Sequence, residues 1–94
     1  MTRTIKRTKR FKRDLKRYRH DVDLLAALAQ VVADLAADIP LKASMRDHDL
    51  HNNWEGFREC HVKPDALLVY CKTDAEVRVL SLERFGSHSS LFGK

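Results

Sequence analysis

Three of the five histidines, His48, His51 and His61, lie between Asp47 and Asp65, together with the only tryptophan, Trp54. Imidazole titrates near neutral pH and can give or take a proton. Asp65, on a predicted turn after Lys63-Pro64, offers a carboxylate as base or as orienter of a histidine. The tail RFGSHSSLFG (84–93) adds a guanidinium, an imidazole and an aromatic ring in Arg84, His88 and Phe92. Such parts suffice to cut RNA without a metal. A base takes the ribose 2′-OH proton, an acid gives one to the departing 5′-oxygen, and a cation steadies the phosphorane. His48, His61 and His88 are candidates for acid, base or phosphate ligand. The fork of Arg84 matches a phosphate, and Phe92 and Trp54 offer faces on which a base can stack.

Each of these residues also has a plainer reading: a surface or structurally bonded histidine, or a tryptophan in the core. His48-x-x-His51 with His61 could hold zinc, but no cysteine pair or HExxH helix accompanies them. Serines 87, 89 and 90 flank His88 without a GxSxG elbow, as expected of a loop. The two cysteines, Cys60 and Cys71, are too few for a disulfide scaffold and read as free thiols of a cytoplasmic protein.

The charge is unevenly spread. The net charge is +5, yet residues 1–20 hold ten Lys/Arg against the single acid Asp14, and residues 21–94 are net acidic. A field concentrated at one end attracts and orients a polyanion. Lys9, Arg10, Arg13, Lys16 and Arg17 are the expected contacts, and nucleic acid or an acidic protein would answer them. No apolar run reaches the roughly 20 residues of a membrane span, and no apolar segment follows the basic start as in a secretory signal.

These groups must be positioned by one small domain, residues 1–94. Thr2 to Arg7 alternates as a short strand. Phe11, Leu15 and Tyr18 form an apolar stripe on a cationic helix from Lys9. Asp21 is an N-cap for a second helix through Leu24, Leu28, Val31, Val32, Leu35 and Ile39, stopped by Pro40. Residues 43–53 read as irregular, with Leu50 as an anchor to the core. Strands follow over 56–62, 66–71 and 77–82, joined by tight turns. The class is α+β: an N-terminal strand and a two-helix hairpin packed on one face of a small antiparallel sheet, the other face open. Alternation places Arg58, Cys60 and Val62 on the helix side, and Phe57, Glu59 and His61 opposite.

With these elements placed, the pattern resembles the YafQ branch of the RelE toxin superfamily of bacterial toxin–antitoxin systems. The shared residues are Asp47-His48-x-Leu50, Trp54-x-Gly56-Phe57-Arg58, His61-Val62-x-Pro64-Asp65, Glu83-Arg84-x-Gly86-x-His88 and Leu91-Phe92-Gly93. The resemblance runs the whole length of the chain and implies a RelE-like, microbial-RNase-like fold. It also implies a ribosome-dependent mRNA interferase, acting at the 70S ribosome on mRNA and silenced by a cognate antitoxin, with no metal or other cofactor and no membrane. The family's functional positions fall on His48, His61, Asp65, Arg84, His88 and Phe92. His88 would be the general acid, with Asp65 or His61 as base. One departure is Ala66, where a relative can carry an aromatic. His51, Asn52 and Asn53 lie outside the shared pattern. The alternative is a basic RNA- or protein-binding module of the same fold without catalysis.

Overall fold

The computed structural model describes residues 2–93, and its framework follows from caps, periodicities and one bulge. Thr8 caps α1 (Lys9–Leu15) by accepting from the Phe11 backbone N–H at 3.1 Å, and a 3-10 turn, Lys16–Tyr18, extends it. Asp21 caps α2 (Val22–Ala36) through the Leu24 N–H at 3.1 Å. The strands are β1 (Thr4–Arg7), β2 (His48–Asp49), β3 (Arg58–Lys63), β4 (Ala66–Asp74) and β5 (Arg78–Gly86). Ser87 caps the closing helix α3 (His88–Phe92). The five-stranded sheet has the order β1-β5-β4-β3-β2.

The expected antiparallel sheet is therefore mixed. β2 to β5 form antiparallel pairs, whereas β1 lies parallel to β5, Ile5 opposite Leu80. Every residue of β1 is exposed, so its side chains carry no pattern that names a partner. A second difference is where α2 stops. It ends at Ala36, before Pro40, because Asp38 turns left-handed (φ 58°) into a knot of cations. Asp38 meets Arg3 at 2.9 Å and Lys72 at 2.8 Å and also pairs with Arg78. Ile39 is consequently outside the helix and exposed.

Phe11, Leu24, Leu28, Val31 and Leu35 pack against Cys60, Val62, Leu68, Tyr70, Leu80, Leu82 and Phe85 of the sheet. This side obeys the predicted alternation. The opposite face is not open as expected. Leu67, Val69 and Leu91 are buried there beneath Leu50, Trp54, Phe57 and Phe92, so residues 50–57 and α3 form a partial second layer. A bulge decides what β5 contributes to it. Val69 pairs with Arg84 but Tyr70 with Leu82, which leaves Glu83 as the extra residue. Leu82 and Phe85 thereby both face the helices, and Arg84, which simple alternation from Leu82 would bury among them, lines a cleft with Trp54 and Phe57. Among the described residues, no helix is long and apolar enough to cross a membrane.

Candidate active site

Strand register assembles the candidate residues on this second face. His48, Glu59, Val69 and Arg84 form one row across β2, β3, β4 and β5. The neighbouring row is His61, Leu67 and Gly86. Beyond that row, Asp65 lies in the β3–β4 turn two residues before Leu67, and His88 opens α3 two residues after Gly86. Both therefore belong to the same end of the β4–β5 ladder.

Glu59 is the centre of the first cluster, and it was not among the predicted site residues. Its side chain is 6% exposed, yet Oε1 lies 3.2 Å from His48 Nε2 and 3.7 Å from His61 Nε2. His48 Nδ1 is 3.0 Å from the Asp49 carbonyl oxygen, which can only accept, so Nδ1 carries a hydrogen. The short Nε2–Oε1 contact then needs a further proton, on the imidazole or on the carboxyl. The His48–Glu59 pair thus ties the edge strand β2 to a buried carboxyl of β3. The signal for Glu59 was present: it shares the His61 face by strand alternation.

A clamp fixes the segment that carries His48. Asp47 accepts from the Tyr70 hydroxyl at 2.5 Å and from Arg58 Nε at 3.3 Å, while Arg58 Nη1 reaches Asp49 at 2.6 Å. Burial, reinforced by the hydrogen bond to Asp47, pushes the Tyr70 phenol above its ordinary range, so it stays a donor.

His61 is half-buried and opens into a cleft of about 480 Å³ with Met45, Arg46, Lys63 and Pro64. Arg46, in the left-handed region at φ 48°, brings a cation that no sequence pattern announced. Arg84 is held rather than free. Its Nε and Nη2 donate to Asp14 at 2.6 and 3.2 Å, and Asp14 also accepts from the Phe85 N–H at 3.0 Å. The hydrogen bond to Asp14 raises the pKa of Arg84, so the cation is permanent. The one acid in the basic segment is therefore a buried positioning group, not a solvated counter-charge.

His88 is exposed, its ring 5.0 Å from that of Phe92. Phe92 meets Trp54 edge-on at 5.7 Å, and Trp54 meets Phe57 at the same distance, so α3 and residues 52–57 share an aromatic line. Lys9, Arg10, Arg13, Lys16 and Arg17 are all exposed. Arg10 lines a cleft with Trp54 and Arg84. Arg13 and Arg17 share its side by helical spacing, and Lys12 and Lys16 lie around the helix toward Leu25.

Burial pushes the Cys60 thiol up to about 12 and, with Glu83, raises Cys71, so neither supplies a thiolate. His48, His51 and His61 do not gather into a metal-holding group, and none of three or more His, Cys, Asp or Glu is found among the described residues.

The family model for "Bacterial toxin of type II toxin-antitoxin system, YafQ" matches residues 3–93. The chain belongs to the YafQ toxin family. It is 46% identical over 55 residues to the mRNA interferase toxin YafQ of Escherichia coli strain B / BL21-DE3. That match covers 58% of this chain and only 56% of the relative, just over half its length. The crystal structure of YafQ from E. coli BL21(DE3) superposes with a TM-score of 0.85 at 34% identity, covering 97% of this chain and 99% of that one. The E. coli DinJ-YafQ toxin–antitoxin complex contains a similar chain, with TM-score 0.84, 33% identity and coverage of 99% and 100%. The α+β architecture is therefore that of the YafQ toxins.

Proposed function

We propose that this YafQ-family chain is an endoribonuclease, an mRNA interferase that cuts mRNA on the ribosome and so stops translation. The observation that carries the reading is the gathering of His48, Glu59 and His61 around one buried oxygen, on the sheet face that also presents Arg84 and ends at Asp65 and His88. The names of its E. coli relatives, an mRNA interferase toxin and a toxin–antitoxin complex, support it.

Asp65 or His61 takes the 2′-OH proton, and the 2′-oxygen attacks the adjacent phosphorus. Arg84, braced by Asp14, and the cations at the His61 cleft stabilise the charge of the phosphorane. His88 then protonates the 5′-oxygen as the P–O bond breaks, leaving a 2′,3′-cyclic phosphate and a 5′-hydroxyl. Phe92 holds a base by its ring. No step requires a metal. The basic N-terminal helix docks the toxin on ribosomal RNA, and an antitoxin with an acidic segment silences it by covering the same charge.

The test compares growth after induction of the wild-type chain and of His88→Ala in bacteria. Removing a general acid slows such a step about 10²–10⁴-fold. The wild type should arrest growth and the variant should not. Equal arrest by both would remove His88 from the chemistry, and no arrest by either would favour a binding module without catalysis.

A further inference from the structure

Arg10, Asn53, Trp54, Phe57, Glu83 and Arg84 line a second cleft, of about 280 Å³, between α1 and residues 52–57. We propose that it is a subsite for the nucleotide next to the scissile one, taking its phosphate on Arg10 and its base between Trp54, Asn53 and Glu83, while Arg84 at its edge stays with the scissile phosphate. The inference rests on the endoribonuclease reading above and extends it to substrate selection.

The wall has the parts that single-stranded RNA recognition uses: cations for the backbone, an aromatic face, and polar groups for a base edge. Arg84 spends Nε and Nη2 on Asp14, and this pair leaves Nη1 to the cleft. Arg10 has no carboxylate partner among the described residues and is exposed. Trp54 is only half-buried, set at 80° to Phe57. The volume is below the roughly 300–1,000 Å³ of drug-sized pockets, a size suited to one nucleotide unit.

Place on the sheet separates this cleft from the proton-transfer centre. Glu83 stands on β5, two strands from His61 on β3, or roughly 10 Å at a strand spacing of about 4.8 Å. A nucleotide bound here is adjacent to the reaction without being cut. The carboxylate sets the base preference. Glu83 Oε2 accepts from Ser81 Oγ at 2.6 Å, which leaves Oε1 as an acceptor at the cleft. An exocyclic amino group satisfies it, as on adenine, cytosine or guanine, whereas uracil offers only its N3–H, with a carbonyl oxygen on either side that repels the carboxylate. The extra residue of the β5 bulge therefore reads the base while Arg10 across the cleft takes the phosphate.

The single tryptophan makes the test direct. The full chain is titrated with 5′-AMP and with 5′-UMP while Trp54 fluorescence and its one indole N–H resonance are followed. AMP should quench and shift Trp54 with a Kd several-fold below that of UMP, and Arg10→Ala or Asn53→Ala should weaken AMP about 10-fold. Both residues are exposed, so the variants fold. In cleavage assays Asn53→Ala should raise KM with kcat nearly unchanged and lose bias against uridine beside the cut. Equal response to AMP and UMP, or variants that bind and cleave as the wild type does, would overturn the subsite. A wild-type chain that binds AMP at Trp54 but never cleaves would sink the endoribonuclease reading and leave the cleft as a nucleotide-binding site with no scissile neighbour.

Discussion

At the level of single residues, Glu59 orients two of the imidazoles. A carboxylate that is 6% exposed holds one oxygen toward the Nε2 atoms of both His48 and His61. Glu59→Gln keeps the shape and removes the charge. The variant should cleave about 10-fold or more slowly at neutral pH. Glu59→Asp should recover part of the rate. Cleavage by Glu59→Gln at the wild-type rate would reduce Glu59 to packing. His48, His61, Asp65, Arg84 and His88 stood out by chemical type and by the motifs shared with the YafQ toxins. Glu59 was legible only by parity along β3. Arg46 was not, since a left-handed residue before β2 leaves no mark in the sequence. Nor was the pairing of Asp14 with Arg84 across the chain.

The elements explain why distant residues meet. Gly86 lets α3 fold back on the sheet: a Cβ there would sit 2.7 Å from Ser90 Oγ and 3.4 Å from Leu91. His88 and Phe92 reach the aromatic line only through that close approach. At the opposite end, Asp38 ties β1, the end of α2 and the β4–β5 hairpin together through Arg3, Lys72 and Arg78. The hydrogen bond from Lys72, then that from Arg3, hold its carboxyl well below the ordinary 3.8. A depressed carboxylate stabilises the fold above its ordinary pKa and loses that contribution as acid protonates it. Asp38→Asn should therefore lower Tm by a few degrees at pH 7, a deficit that narrows once the pH falls below about 3. A deficit of constant size across that range would mean the charge is irrelevant. The Asp21 cap and the alternation of β3 could be read from sequence because they are local. The parallel seat of β1, the early end of α2 and the bulge at Glu83 could not, because tertiary contacts decide each of them.

For the molecule as a whole, the charge is segregated: an exposed cationic helix flanks the site on the same side as Arg10. Binding to ribosomal RNA should weaken steeply with salt. Replacing Arg10, Arg13 or Arg17 by Ala should lower the slope of log K against log salt by about 1 for each phosphate no longer neutralised. The same change at Lys12 should matter less. Equal slopes for all four would mean that the helix acts as a diffuse cloud and not through one face.

The most direct test of ribosome-bound RNA cleavage is a map of transcript 5′ ends in cells expressing the wild-type chain or His88→Ala. New ends with 5′-hydroxyls should appear inside translated codons, only with the wild type and only while ribosomes occupy the message. Ends that persist in His88→Ala, that fall equally in untranslated RNA, or that never form would contradict it.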